Sequence, residues 1–122
     1  MKRSRILVVD DHSALLAGVR FILETEGYTV LTATDGKQAL QVMEKEACPD
    51  LIVSDIMMPR MDGYAFLEAV RTRPEWARIP FLFLTARKDS EEVLQEKNLK
   101  VEGFITKPFA PQDLVSTVRT WL

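Results

Sequence analysis

The 122-residue chain is 47% hydrophobic and 28% charged, values of an ordinary globular protein, and it is long enough to bury one sizeable core. A formal net charge of −2 gives no electrostatic footprint for nucleic acid, and a lone cysteine, Cys48, excludes an intrachain disulfide and fits a reducing compartment. The basic start, Lys2-Arg3-Ser4-Arg5, leads into an apolar run of only Ile6 to Val9 before Asp10 and Asp11. That run is too short for an export signal, and no later stretch could span a bilayer, so a cytoplasmic protein is expected.

Arg5 to Val9, rich in β-branched residues and bounded by charge, predicts a first strand. Ser13 is the expected N-cap of a first helix. Leu15, Val19, Ile22 and Leu23 then recur at helical spacing, and Gly27 stops the run. Tyr28 to Ala33 predicts a second strand. Thr34-Asp35-Gly36 turns the chain into a second helix, with Leu40 and Met43 on its inner face, that ends before Pro49. The apolar run Leu51 to Val53 predicts a third, buried strand ending at Ser54 and Asp55. After a Pro-containing loop, Gly63 to Thr72 offers Phe66, Leu67 and Val70 as a helical face. Pro80 to Leu84 predicts a fourth strand, and Asp89 with Glu92 resembles a capping box for a poorly amphipathic fourth helix. That helix has only Val93, Leu94 and Leu99 to bury. Gly103 to Thr106 predicts a fifth strand, and Leu114, Val118, Trp121 and Leu122 an inner stripe on a fifth helix. Strands alternating with helices imply parallel βαβ units, right-handed connections and a sheet covered on both faces.

Chemistry gathers at the strand ends. The first strand ends in Asp10-Asp11, the third in Asp55 and the fourth in Thr85, while Lys107-Pro108-Phe109 follows the fifth. In a parallel sheet these ends share one edge, where open α/β sheets place their ligands. Each acid alone could cap a helix or solvate a loop; three acids with a hydroxyl and a lysine on one edge favour a site. Carboxylates so gathered repel one another unless a cation sits among them. Oxygen donors suit a hard ion, and Mg²⁺ is the natural choice where phosphate is also involved. Lys107 supplies a compact positive charge for a phosphoryl oxygen, and Asp55 is the candidate nucleophile.

These fragments resemble the receiver domains of two-component response regulators. The likeness is carried by Ile6-Leu7-Val8-Val9-Asp10-Asp11, Asp35-Gly36 with Ala39-Leu40, and Asp50-Leu51-Ile52-Val53-Ser54-Asp55. Met58-Pro59 with Asp62-Gly63, Leu84-Thr85-Ala86 and Thr106-Lys107-Pro108-Phe109 complete it. Each is weak alone; in this order and spacing they are specific, and they span essentially residues 1–122 as one domain. The resemblance implies a flavodoxin-like, doubly wound five-stranded parallel sheet of order 2-1-3-4-5, flanked by five helices.

It also implies a role. Asp55 would accept a phosphoryl group from a phosphohistidine on a sensor histidine kinase or histidine phosphotransfer protein, and lose it by autodephosphorylation, with no other enzymatic activity. Mg²⁺ would be held by Asp11, Asp55 and the backbone carbonyl of Met57, with Asp10 acting mainly through water. Lys107 and the Thr85 hydroxyl would contact phosphoryl oxygens. Thr85 would then move toward the phosphoryl group and Phe104 turn inward, altering the surface of the fourth helix, fifth strand and fifth helix, where a downstream protein or effector domain docks. A monomer or weak homodimer, with no nucleic-acid or membrane contact, is the expected state.

The same likeness implies a cis Lys107-Pro108 bond. Several positions depart from the usual pattern or tune it. Lys100-Val101-Glu102-Gly103 replaces the common Gly-Ala-Asp-Asp, putting Lys100 where a left-handed glycine usually ends the fourth helix. Phe104 stands where many members have Tyr. Met57 and Arg87 occupy positions that influence hydrolysis of the phosphoryl group. His12 is expected to lie outside the chemistry at the start of the first helix, and Trp76 and Trp121 to be packing residues. The alternatives are a pseudo-receiver that only binds partners, a haloacid-dehalogenase-like phosphatase, and a dinucleotide-binding domain. The intact acid, threonine and lysine set argues against the first. The nucleophile's place after the third strand argues against the second, and the lack of Gly-x-Gly-x-x-Gly against the third.

Overall fold

A computed structural model describes residues 3–46, 48–86 and 90–122. Strands and helices alternate along them: β1 (Arg5–Val9), α1 (Ser13–Thr25), β2 (Thr29–Ala33), α2 (Gly36–Lys45), β3 (Leu51–Ser54), α3 (Gly63–Thr72), β4 (Phe81–Thr85), α4 (Ser90–Glu96), β5 (Gly103–Thr106) and α5 (Pro111–Trp121). The strands form one parallel sheet in the order β2-β1-β3-β4-β5. The doubly wound, flavodoxin-like arrangement expected from the sequence is therefore the one observed.

Strand periodicity divides the interior in two. Ile6, Val8, Leu51, Val53, Leu82 and Leu84 point to a layer closed by Val19 and Leu23 of α1 and Leu114 and Val118 of α5. Leu7, Val9, Ile52, Phe81 and Phe83 point the other way, against Met43 of α2, Phe66, Leu67 and Val70 of α3, and Leu94 of α4. Alternate residues thus serve opposite faces, as the pleat requires, and the three inner strands, β1, β3 and β4, read as almost continuous apolar runs because both their faces are covered. Burying one such large side chain contributes roughly 1.5–3 kcal/mol. An aromatic row runs through the second layer: Phe66 to Phe81 at 5.5 Å between centroids, Phe81 to Phe83 at 5.4 Å, and Phe83 to Phe104 at 6.1 Å.

The helix ends follow local chemistry. Asp35 caps α2 by accepting from the Gln38 amide at 2.8 Å, and Asp62 caps α3 by accepting from the Ala65 amide at 2.9 Å. Gly27, at φ 95°, closes α1. Its amide donates to the Glu24 carbonyl at 3.0 Å and that of Tyr28 to Leu23 at 3.2 Å, the paired bonds of a Schellman ending.

Four local expectations need correction. Ser13 is the first residue of α1; His12 is the N-cap and makes no side-chain capping bond. β2 and β4 begin one residue later than predicted, at Thr29 and Phe81, and β4 runs on through Thr85. Trp121 and Leu122 are 41% and 42% exposed, because the α5 stripe that reaches the core ends at Val118. Lys100 is not the left-handed residue after α4. Asn98 is, at φ 55°, with its amide on Gln95 at 3.1 Å and the Leu99 amide on Leu94 at 2.9 Å. Asparagine tolerates that conformation because its short polar side chain bonds locally, so the turn closes without glycine. The predicted Asp89 capping box and Arg87 lie outside the described residues. α4 buries only Ser90 and Leu94, in keeping with its weak apolar pattern.

Candidate functional site

Three site residues sit one step past their strands, yet the main chain still holds them. The Asp10 amide donates to the Ala33 carbonyl at 3.1 Å, the Asp55 amide to Val9 at 2.8 Å, and the Lys107 amide to Thr85 at 3.0 Å. Parallel pairing therefore fixes where these side chains start. Asp10, Asp55 and Thr85 are buried, Asp11 is exposed at the rim, and Lys107 is 20% exposed. The Lys107-Pro108 bond is cis, as expected.

The side chains meet. Lys107 Nζ lies 3.2 Å from Asp10 Oδ2 and 3.1 Å from Asp55 Oδ2, tying β1, β3 and β5 together through one ammonium. The other Asp55 oxygen, Oδ1, accepts from the Ile56 amide at 2.7 Å, and the Ser54 hydroxyl donates to the Asp55 carbonyl at 2.8 Å. The carboxylate is thus oriented by the backbone on one side and by Lys107 on the other. One oxygen each of Asp10, Asp11 and Asp55, with a ring nitrogen of His12, all fall within 4.8 Å of one another. Three carboxylates face one ammonium, an excess of negative charge that a divalent cation would balance. The donors are mainly hard oxygens and fit Mg²⁺.

The loop from β3 to α3 is pinned from below. Gly63 donates to the Ile56 carbonyl at 2.7 Å, and a Cβ at Gly63 would stand 2.3 Å from the Asp55 carbonyl oxygen. Only glycine permits α3 to begin so close to Asp55. Arg60, at φ 63°, reaches back to the buried Asp35, donating from Nε at 2.7 Å and also from Nη2, while the Gly36 amide donates to the Met61 carbonyl at 3.1 Å. The Gln38 amide, and beyond it the Arg60 guanidinium, hold the Asp35 carboxyl below the usual range against the opposing effect of burial. Met57, between Asp55 and this anchor, is 60% exposed.

Thr85 and Phe104 share the face of the sheet that carries the aromatic row. Thr85 pairs with Thr106, and Phe104 pairs with Phe83 two positions earlier. Phe104 is half-buried against that layer. At the opposite edge Arg71 donates to the carbonyls of Ala77 and Ile79 at 3.0 and 2.7 Å and to Glu102 at 2.9 Å. Glu102 in turn accepts the Phe81 amide at 2.6 Å. Trp76 is buried, with the Arg73 guanidinium 3.8 Å from its ring centroid, a packing residue as expected.

The predicted acids and lysine therefore converge. The Arg60–Asp35 and Arg71–Glu102 pairs had no local signal, since their partners lie 25 and 31 residues apart. His12 did carry one: it follows the acid pair directly.

Among the described residues no helix is long and apolar enough to cross a membrane. The family model described as response regulator receiver domain matches residues 6–119. The chemotaxis response regulator CheY4 of Vibrio cholerae is 35% identical and superposes with a TM-score of 0.90, covering 99% of this chain and 100% of that one. The receiver domain of NtrX from Brucella abortus is 29% identical with a TM-score of 0.84, covering 96% and 97%. The alkaline phosphatase synthesis transcriptional regulatory protein PhoP of Bacillus subtilis (strain 168) is 36% identical over 118 residues, which are 97% of this chain and 48% of PhoP. The chain thus spans about half the length of such curated relatives. With most of its length matched by the family model and its whole fold shared with CheY4, the chain belongs to the response regulator receiver domains.

Proposed function

We propose that this domain is the phosphoacceptor switch of a two-component phosphorelay, with Asp55 as the acceptor. One observation carries the reading: a buried carboxylate at a strand end is bridged by Lys107 to a second acid, Asp10, beside a third, Asp11. A carboxylate is already ionised at neutral pH and needs no general base to attack phosphorus. Transfer breaks the phosphorus–nitrogen bond of a partner's phosphohistidine and forms a phosphorus–oxygen bond to Asp55. The imidazole leaves with its electron pair. Catalysis is then positioning and neutralisation of charge on the equatorial oxygens.

Each residue has a task. Lys107, already beside Asp55, takes one phosphoryl oxygen, and Thr85 takes another through its hydroxyl. Asp11, Asp55 and the Met57 carbonyl would hold Mg²⁺, with Asp10 acting through water, and the ion supplies compensating positive charge. Relocation of Thr85 opens space on the aromatic face, into which Phe104 turns. The surface of α4, β5 and α5 changes, and a downstream protein or effector domain reads it. A packing element biased by a new charge is a recognised switch design. The module works in the cytoplasm as a monomer or weak homodimer, fed by a sensor histidine kinase or histidine phosphotransfer protein.

The test is incubation with Mg²⁺ and acetyl phosphate followed by intact mass. Wild type gains one phosphoryl group; Asp55→Asn and a chelated sample do not. Equal labelling of wild type and Asp55→Asn refutes the assignment. No adduct from either acetyl phosphate or a competent phosphohistidine donor makes the domain a pseudo-receiver.

A further inference from the structure

The phosphoacceptor reading leaves His12 without a task. Its side chain is 71% exposed and does no capping, yet its Nδ1 edge faces the acid pair. Nδ1 lies 3.3 Å from Asp10 Oδ1 and 3.5 Å from Asp11 Oδ1. Two donors bound to one tetrahedral ion at roughly 2.1 Å stand about 3.4 Å apart, so these separations match donors that share an ion. The chain itself sets the arrangement. The His12 amide donates to Asp10 Oδ1 at 2.9 Å, folding the residue back over the acid, while Lys107 occupies the opposite oxygen, Oδ2.

We propose that His12 Nδ1 is a nitrogen donor of the acid cluster, and that it makes the site a binding site for transition-metal divalent cations of the zinc, nickel and copper class, in competition with Mg²⁺. The proposal rests on reading the cluster as a cation site. Mg²⁺ favours oxygen ligands and keeps much of its water, so it gains little from an imidazole. Zinc, nickel and copper favour imidazole and bind mixed nitrogen and oxygen sites more tightly than earlier divalents. Removing one ring therefore separates the two classes of ion. The bland alternative is a surface histidine hydrogen-bonded to its neighbour, which predicts no difference between them.

The test uses the folded chain carrying Cys48→Ser, so that the exposed thiol cannot bind metal. Copper(II) is the spectroscopic probe. His12 is the sole histidine, so imidazole nitrogen coupling in its electron paramagnetic resonance spectrum has one source. Zn²⁺ and Mg²⁺ affinities are measured by calorimetry on this parent, on His12→Asn and on His12→Gln, with circular dichroism as a check on folding. The parent shows the nitrogen coupling and both variants lose it. Zn²⁺ binding falls at least the ~10-fold that loss of even an outer-shell partner costs, while Mg²⁺ binding moves by less than about twofold. Absent coupling in the parent, unchanged Zn²⁺ affinity, or equal weakening of both ions overturns the proposal. Acetyl phosphate labelling on the same samples keeps the two readings apart. Labelling without nitrogen coupling removes His12 and leaves the phosphoacceptor. Coupling without labelling does the reverse.

Discussion

Replacing Gly63 by alanine tests how closely the scaffold is fitted around Asp55. An ideal Cβ there would stand 2.3 Å from the Asp55 carbonyl oxygen, 2.8 Å from Ile56 Cα and 3.1 Å from a Phe83 ring carbon. Two of the three neighbours are main chain, held by the Gly63–Ile56 bond and by the pairing of Asp55 with Val9. The strain has no flexible end to absorb it. Overpacking ordinarily costs about 1–3 kcal/mol, and the rigid surroundings place this variant at the upper limit or beyond it, about 3 kcal/mol. For a domain of this size that corresponds to a loss of roughly 10 °C in melting temperature. Two further alanines calibrate the result. At Gly36 the Cβ meets only the Met61 side chain, at 2.6 to 3.0 Å, and a methionine can swing aside, so a loss under ~1.5 kcal/mol is expected. At Gly18, inside α1, nothing lies within 4 Å, and alanine should stabilise by about 0.5–1 kcal/mol. Urea unfolding of the three variants gives the order directly. A Gly63→Ala protein as stable as Gly36→Ala would refute the fitted-backbone argument.

Asp35→Asn keeps the cap on α2 but removes the charge that Arg60 meets. Because Arg60 is 66% exposed, solvent screening holds the loss to about 0.5–1 kcal/mol near neutral pH. The folded carboxyl titrates below its unfolded value, so this contribution is complete above about pH 4. It fades as pH falls through the lower folded value, and wild type and variant should converge in acid; a gap that widens there would contradict it. Arg71→Ala leaves two carbonyls and Glu102 without their shared donor at the far edge of the sheet. A loss of about 2–3 kcal/mol in urea is expected from charged hydrogen bonds in a half-buried setting, with acetyl phosphate labelling of the folded fraction unchanged.

The sheet and its edge were legible because they rest on short-range signals. Runs such as Ile6 to Val9 and Leu51 to Val53 show strands buried on both faces, and each polar interruption marks where the run leaves the sheet. Less legible was anything decided by tertiary partners. Trp121 continues the helical period of Leu114 and Val118, yet it falls beside Gly103 at the start of β5, at the margin of the core, and stays 41% exposed. The turn after α4 depended on which residue would take the left-handed conformation, and Asn98 competes with Lys100 only once the helix end is known. The Arg60 and Arg71 pairs join distant segments with no periodic trace. The acids of the site were visible as types, while the approach of His12 Nδ1 to Asp10 and Asp11 depends on a side-chain rotamer that leaves no trace in sequence.

The backbone bonds that run past the strand ends carry an evolutionary consequence. The main chain at Asp10, Asp55 and Lys107 is held by amides and carbonyls, which every residue except proline possesses in full. The course of the main chain at those three places is therefore set by groups that nearly every side chain would leave in place, with the Lys107 ammonium added across the two buried acids. On the phosphoacceptor reading proposed above, a single substitution there would remove the chemistry while the main-chain bonds of the sheet edge stay in place. On that reading, one codon would separate a signalling protein from a mute binding partner of the same architecture.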